Sequence, residues 1–305
     1  MDKQGLLERL EVMDSLASGS KLKRALMNPL KYAEAIFFRE FIYRFKKVEK
    51  EVVCNTFFDS QMNVLLPAST DIFLLAGKSH ISEIKLARFL INNLSSGDDF
   101  LDIGAHYGYF SLLASYLIGE KGKVVAFEAA PRTFKVLEKN KGRVSNMVVR
   151  NRAVSDKPGE LSFYEFPNLF SEFNTMNVEQ FRENDWFEKF PPKEIKVKSI
   201  VLDQFFEAEK LNPKVVKIDV EGAEFKVLSG AKKYLSQHSP YIVMEYLSPQ
   251  RGNEEHIEAE RLLLEFNFHP HALDANGNIQ PLGNVSEYLE KHQLESDNIV
   301  FSKIQ

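Results

Sequence analysis

Two stretches of this chain hold residues whose types and spacing could do chemistry together. In KVVKIDVEGAEFKVLSGA, Lys217 and Asp219 lie two apart within the apolar run Val215, Val216, Ile218 and Val220, which reads as a buried strand. Residues two apart share one face of a strand, so both charges sit on the same side and need partners there. Asp219 and Glu221 fall at that strand's carboxyl end, where open α/β sheets bind ligands. Gly222 permits a turn into a helix whose early Glu224 suits the positive end of the helix dipole. Glu245 closes the next strand, PYIVMEY, and belongs on the same edge. A carboxylate there can take a proton from a hydroxyl if burial raises its pKa, which makes Asp219 and Glu245 candidate bases and Glu221 a candidate acceptor contact. An ion pair between Lys217 and a carboxylate is the plainer account of the same residues.

The second stretch, FLDIGAHYGYFSLL, places Asp102, Gly104 and Gly108 between a strand and a helix. The glycines allow a sharp turn close to a ligand, and the helix start offers unpaired N–H groups. The dinucleotide fingerprint G-x-G-x-x-G fails here, because position 106 is His and Asp102 would repel a pyrophosphate. An acid at that position suits a ligand with an ammonium group, such as the methionine part of S-adenosylmethionine, with Ala105 and His106 completing the turn. Glu128 ends the next strand, 24 residues after Gly104, where it can accept hydrogen bonds from both hydroxyls of a ribose, with Ala129 beside it. A carboxylate favoured by the dipole of the following helix is the simpler account of Glu128. Ser155 and Asp156, in NRAVSDKPG, follow one strand later, within reach of an adenine amino group; an Asp ahead of Pro-Gly is also ordinary turn chemistry. His80, in the loop Gly77-Lys78-Ser79-His80, could orient or deprotonate a substrate, although a lone loop histidine is more often simply exposed. His269 and His271 share a strand face without a carboxylate at ligand spacing, so no metal site is assigned.

Only a sheet with its carboxyl ends aligned could bring these residues together. Strand FLDI, a helix from about Tyr109, strand KVVAF, a helix from about Arg132 and strand MVVRNRAV alternate as βαβ units do, which predicts a parallel sheet. The rhythm breaks over 155–200, where LSFYEFPNLFSEF and a helix up to Pro191 precede a strand IKVKSI; an excursion of this length usually carries function. It resumes with KVVKIDV, a helix from Ala223 to about Leu235, PYIVMEY and a helix over 254–265, then finishes antiparallel with FNFHPHAL, an Asn276-Gly277 turn and DNIVF. Ahead of the first unit, Ser82 to Leu94 reads as an amphipathic helix, and EVVCNTFF, NVLL and IFLL as short strands. Residues 1–50 read as helices broken near Asn28-Pro29. The chain thus divides into a helical cap with short strands over 1–75 and a catalytic domain over 76–305 carrying an aromatic insertion at about 163–198.

Thirty-nine Lys and Arg against 43 Asp and Glu leave a net charge of -4, too weak a field to steer the whole molecule onto nucleic acid. Cys54 is the single cysteine, which excludes an intramolecular disulfide and fits a reducing, cytoplasmic compartment. The opening MDKQGLLERLEVMD is charged throughout, unlike a signal peptide, and no apolar run is long enough to span a membrane. Residues 21–50 hold nine basic residues against three acids, interleaved with Phe37, Phe38, Phe41, Tyr43 and Phe45. Such a segment could lie on an anionic membrane, at the inner surface if the protein is cytoplasmic, or receive an acidic substrate. The favoured reading is a cap whose aromatic face packs on the main domain while its lysines stay solvated.

Three blocks, FLDIGAHYGYFSL, VAFEAAPRTF with NRAVSDKPGELSF, and KIDVEGAEFKVLSGA, make the sequence resemble the FkbM family of S-adenosylmethionine-dependent methyltransferases. The likeness covers roughly 75–247 and leaves 1–50 outside. It implies an α/β, Rossmann-like class I methyltransferase sheet, mostly parallel, of seven strands with the last antiparallel. By position, Asp102, Gly104 and Gly108 would hold the methionine part, Glu128 the ribose and Asp156 the adenine region. His106 and Ala130 stand where the family usually has Asn and Pro. The implied activity is O-methyl transfer to a hydroxyl of a sugar, glycan or other natural product, with the base drawn from Asp219, Glu245 and His80. The aromatic insertion, with Phe170, Phe173, Asn174, Trp186 and Phe187, would cover the acceptor. The alternatives are a non-catalytic S-adenosylmethionine-binding scaffold at a membrane assembly and, less favoured, a nicotinamide-dependent oxidoreductase.

Overall fold

The computed structural model describes residues 2–303. Helices Lys3–Ala17, Lys21–Met27 and Pro29–Phe37 open it, the last running into a π-helical turn at Phe38–Tyr43. The break expected near Asn28-Pro29 is there: the Asn28 side chain accepts from the Lys31 N–H, and Pro29 takes the first helical position, where its missing N–H costs nothing. Leu6, Leu10 and Met13 share one apolar cluster with Ile84, Leu86 and Leu90 of helix Ile81–Asn93, and Arg88 pairs with Asp14 at 2.9 Å. The first helix is therefore part of the main core. The segment after it is not: between residues 22 and 48 only Ala35, Phe38 and Tyr43 are buried. The expected packing of its whole aromatic face is thus limited to a few side chains, because Phe37, Phe41 and Phe45 point away from the domain.

Strands β1 (Lys50–Asn55) and β2 (Gln61–Leu66) pair antiparallel. IFLL, expected as a third strand, is instead the helix Thr70–Leu75 with Ile72, Phe73 and Leu75 buried. A four-residue apolar run fits a buried helix turn and a buried strand equally well, and its contacts decide.

The main sheet takes β3 (Asp99–Ile103), β4 (Val124–Phe127) and β5 (Met147–Arg150) from the first βαβ units. MVVRNRAV, read as one strand, divides after Arg150. Its second half, β6 (Ala153–Val154), joins β7 (Gly159–Glu165) and β8 (Lys193–Ile200) in a separate three-stranded sheet of order β6-β8-β7. The large sheet continues with β9 (Pro213–Ile218), β10 (Tyr241–Leu247), β11 (His269–Leu273), β12 (Ile279–Pro281) and β13 (Ser296–Ser302). Among the described residues it has eight strands in the order β12-β11-β13-β10-β9-β3-β4-β5. Strands β5, β4, β3, β9 and β10 run parallel, and β13 lies antiparallel to both β10 and β11. The expected seven-strand sheet with an antiparallel last strand is present, and β12 adds a short eighth strand as a hairpin with β11.

Successive residues of the central strands enter opposite cores. Phe100, Val124, Val215, Val243 and Val300 join one apolar cluster, and their neighbours Leu101, Val125, Val216, Ile242 and Ile299 the other. A strand buried on both faces reads as a continuous apolar run, which is why KVVAF and PYIVMEY show no polar alternation.

Two helices differ from expectation. The helix predicted from Ala223 to Leu235 is two, Glu224–Ser229 and Lys232–Gln237, divided at Gly230, where a Cβ would come within 2.5 Å of the Ser155 carbonyl. The helix expected up to Pro191 is absent; short 3₁₀ turns at Asn168–Phe173 and Glu179–Phe181 fold Phe166, Phe170, Phe173, Phe181 and Trp186 onto one another. These rings form a knot with its own centre, not one stripe on a helix.

Because Leu10 is fully buried between the first helix and the core, Leu10→Ala lowers stability by ~2–5 kcal/mol, whereas exposed Leu30→Ser changes it by less than about 0.5 kcal/mol. Urea denaturation of the two variants measures both. A Leu10 variant as stable as the parent would detach the first helix from the cooperative core.

Candidate active site

The carboxyl ends of the parallel strands open onto a cavity of about 300 Å³. Its lining follows the strand order: Arg152, Ala153 and Val154 beyond β5, Glu128 and Ala129 beyond β4, Gly104 and His106 beyond β3, Asp219 and Glu221 beyond β9, and Glu245 on β10. His80 and Asn174 enter from outside the sheet. Residues 20 to 140 apart in sequence thus meet because parallel strands end together.

The turn after β3 is tight. Gly104 has φ +81°, and a Cβ there would lie 1.7 Å from the Asp219 carbonyl oxygen, so β3 and β9 can leave the sheet side by side only with glycine at this position. His106 follows with φ +50°, its ring stacked on Tyr107 and its Nε2 3.0 Å from the Ser171 hydroxyl. Burial pushes the His106 imidazole down to about 4, so it is neutral near pH 7. Gly108 caps the helix Tyr109–Ile118 behind the turn and does not line the cavity, while Ala105 lines a smaller adjoining hollow of about 40 Å³.

Beneath this turn lies an ion triad in which Lys217 and Asp102 are buried and Asp219 is partly exposed. Lys217 Nζ is 2.9 Å from Asp219 Oδ2 and 3.5 Å from Asp102 Oδ1, and the Ser111 hydroxyl donates to Asp102 Oδ2 at 2.6 Å. Burial alone would lower the Lys217 pKa, but Asp219 and Asp102 outweigh it and hold the ammonium above its ordinary value. Asp102 itself is absent from the cavity wall, so the carboxylate that faces the cavity at this end is Asp219. Asp102 Oδ1 is buried and accepts no hydrogen bond. Its ion-pair partner is Lys217, and it does not reach the cavity.

Glu128 accepts backbone N–H bonds from His106 at 2.9 Å and Ala130 at 2.8 Å, one on each carboxylate oxygen. Each oxygen keeps a lone pair for a diol in the cavity. Burial still pushes this carboxyl up to about 8. Beyond it, Phe127, Val154 and Phe163 give apolar walls. Ser155 and Asp156 stand outside the cavity: Ser155 is buried and donates to Asp156, which is exposed on the turn. Ser155 fails to reach the pocket because its carbonyl packs on Gly230, and Arg152 to Val154 take that place. The cavity-lining residues fit a nucleoside with a cationic amino-acid end: Glu128 could take a diol, the apolar walls a base, and Asp219 the charged end.

Asp219, Glu221 and Glu245 bring carboxylate oxygens within 4.8 Å of one another, the one group among the described residues spaced to hold a metal ion. No metal-ligand spacing is visible along the chain because these acids come from two strands. Burial, with repulsion from Asp219, pushes Glu245 up to about 8, and the Ser296 hydroxyl donates to it at 2.7 Å. Burial, with Glu245 and Asp219 adding repulsion, pushes Glu221 well above the usual carboxylate range. Crowding of these carboxylates, with Lys217 paired to Asp219, favours the protonated forms of Glu221 and Glu245. Glu224 faces away: it accepts from the Gly222 N–H at 3.1 Å and lies 3.4 Å from His256. His271 is buried against the Val300 carbonyl and His269 is only half-buried; neither belongs to a metal-spaced group.

The insertion closes the outer wall. Phe173 and Asn174 line the cavity, whereas Trp186 stacks behind Phe173 at 5.4 Å and on Phe170 at 4.3 Å. Trp186, Phe170 and Phe187 therefore support the wall without forming it. Thr175 and Gln180 both donate to the Glu221 carbonyl, at 2.6 and 2.7 Å, which fixes the strained turn where Glu221 has φ +53°. Lys78 anchors the insertion to the core: its Nζ is 2.8 Å from Glu172 and 3.0 Å from Glu83. Sequence reasoning stopped at the neighbouring His80, whose Nδ1 is 2.8 Å from the Ser82 hydroxyl, and missed this cluster because Glu172 is 94 residues away. Ser296 and Asn298 were missed for the same reason, since only the antiparallel placement of β13 beside β10 brings them to the cavity.

The methyltransferase FkbM domain matches residues 102–270, more than half of the chain. Among curated relatives, the hexuronic acid methyltransferase AglP of Haloferax volcanii is 28% identical over 165 residues, covering 53% of this chain and 62% of that protein. Methyltransferase sdnD of Sordaria araneosa is 28% identical over 195 residues, covering 55% of this chain and 73% of that protein. Among solved structures, the methyltransferase FkbM of Methylobacillus flagellatus KT aligns with a TM-score of 0.44 at 12% identity, over 77% of this chain and 52% of that one. The chain therefore spans somewhat less than two thirds of AglP and about half of that solved structure. With the whole match lying across the strands and turns that line the cavity, the chain belongs to the FkbM methyltransferase family.

Proposed function

We propose that this protein is an S-adenosylmethionine-dependent O-methyltransferase that acts on a hydroxyl of a sugar, glycan or related natural product, with Glu245 as the base. The observation that carries the reading is the single cavity edge on which a diol-binding carboxylate, Glu128, and a proton-accepting carboxylate, Glu245, flank the Gly104 turn. When bound, S-adenosylmethionine supplies the methyl group that passes from its sulfonium sulfur to the acceptor oxygen. Asp219 faces its positive end, Glu128 accepts from the ribose hydroxyls, and Phe127, Val154 and Phe163 exclude water around the base.

The acceptor hydroxyl is a weak nucleophile and must lose its proton as the C–O bond forms. Asp219 is the first candidate by sequence, but its Oδ2 is committed to Lys217 at 2.9 Å. Glu245 has no cation so close, and a carboxyl raised to about 8 is matched to proton transfer near neutral pH. His80 sits at the outer rim and can orient the acceptor. Phe173 and Asn174 offer an aromatic face and an amide to a sugar ring, and Glu221 can accept from a second hydroxyl. Alignment and water exclusion by these walls supply much of the barrier reduction.

The family supports methyl transfer over the nicotinamide alternative. The decisive experiment incubates the protein with methyl-labelled S-adenosylmethionine and a panel of glycans that includes hexuronic acid glycosides, chosen because one relative is named for that acceptor. Labelled methyl ether is expected; donor binding without label transfer to any acceptor would favour the scaffold reading.

Two further outcomes follow from the geometry. Glu245 accepts a proton only when ionised, so turnover rises with pH through about 8 and then levels. Glu245→Gln removes that rise and lowers kcat by ~10²–10⁴ while leaving donor affinity intact, as a pH–rate profile and calorimetry measure. Glu128→Gln does the reverse: it weakens donor binding by roughly two- to tenfold, the worth of one hydrogen bond, with a smaller effect on kcat. Donor affinity unchanged in the Glu128 variant would remove it from the ribose.

A further inference from the structure

Residues 22–48 carry an exposed apolar surface that the domain itself does not cover. Leu22, Leu26, Leu30, Phe37, Phe41 and Phe45 are each between 56% and 83% exposed. They are not scattered. Leu22 and Leu26 lie one turn apart on helix Lys21–Met27, and Phe37 and Phe41 stack at 5.3 Å, with Phe45 a further four residues along. The π-helical turn Phe38–Tyr43 buries Phe38 and Tyr43 and leaves these three rings on the outer side.

The charge around this surface has one sign. Residues 21–50 contain nine basic residues and three acids, in a chain whose total is -4. All three acids are already paired: Glu34 with Lys50, Glu40 with Arg39, and Glu49 with Arg132. Lys23, Arg44, Lys46 and Lys47 stay exposed beside the apolar side chains. Helices with leucines and phenylalanines projecting between solvated lysines and arginines match a surface that is anionic outside and apolar just below. A second copy of the chain is a poor occupant, because a twofold interface would set this positive surface against itself.

The surface is tied to the outer wall of the cavity. The Leu169 N–H donates to the Tyr43 hydroxyl at 3.2 Å, Lys47 Nζ lies 4.2 Å from the centroid of the Phe190 ring, and Phe190 packs on Phe170 in the aromatic knot behind Phe173. We propose that residues 22–48 dock this protein on an anionic lipid bilayer surface through Leu22, Leu26, Leu30, Phe37, Phe41 and Phe45, held by the surrounding lysines and arginines. Docked in this way, the aromatic insertion lies next to the bilayer, and the face stands apart from the residues that line the cavity.

The full-length protein is sedimented with vesicles of phosphatidylcholine alone and of phosphatidylcholine mixed with phosphatidylglycerol. The protein is expected to pellet with the mixed vesicles, not with the neutral ones, and to be released by high salt. A Phe37→Ser, Phe41→Ser, Phe45→Ser variant loses this binding, and Arg44→Gln with Lys46→Gln lowers the partition coefficient about tenfold or more. All five positions are exposed, so the thermal midpoint stays at the parent value and separates lost docking from lost folding. Failure to pellet with mixed vesicles, equal pelleting with neutral ones, or an unchanged partition in the phenylalanine variant would each overturn the proposal. A parent dimer in analytical ultracentrifugation that the phenylalanine variant dissociates would also overturn it, assigning the face to a second copy. None of these readouts depends on methyl transfer.

Discussion

Lys217 is the buried cation on which the carboxyl edge of the sheet depends. It stands on β9 between Asp102 of β3 and Asp219 beyond β9, and its ammonium is the only near positive charge for either carboxylate among the described residues. A largely buried charge triad costs desolvation that its mutual attraction only partly recovers, so it contributes to the placement of groups more than to net stability. Here it holds the β3 and β9 exits side by side, at the separation where only Gly104 fits against the Asp219 carbonyl. The same lysine pairs with Asp219, whereas Glu245, one strand over, has neighbouring negative charge and, among the described residues, no cation within ion-pair distance. In the proposed reaction, the division of labour between a charge-holding and a proton-accepting carboxylate would come from that one asymmetry.

The insertion between β7 and β8 is the second constraint. Its aromatic rings pack on one another, so it keeps its shape without a long helix, and polar grips attach it to the core. Lys78 joins Glu172 to Glu83, and Thr175 with Gln180 holds the Glu221 carbonyl. The first grip fixes the wall at the cavity's rim, and the second fixes a left-handed turn that a glutamate would not adopt unaided.

The fold was legible from the sequence where the signal was local. Apolar runs such as Val124 to Phe127 announce strands buried on both faces, the Gly104 turn announces a strand-to-helix crossing, and the spacing of these features predicts the parallel sheet. Where two structures bury the same residues equally well, local pattern was silent: Ile72 to Leu75 forms a helix, and MVVRNRAV splits between two sheets. The candidate site was legible in the same measure. Glu128, Asp219, Glu221 and Glu245 could be placed because each sits beside a strand end, whereas Ser155 and Asp156 sit beside a strand end that turns away from the cavity.

The sequence by itself determined which residue types stand at the carboxyl ends of the strands, because hydrophobic periodicity and turn glycines act over a few residues. Tertiary structure alone decided what those residues can do. It set Asp102 behind Lys217, raised Glu245 by burial beside Asp219, joined Lys78 to Glu172 across the chain, and left Phe37, Phe41 and Phe45 without a covering core. Desolvation and charge pairing depend on distance in space, and no spacing along a chain encodes that distance.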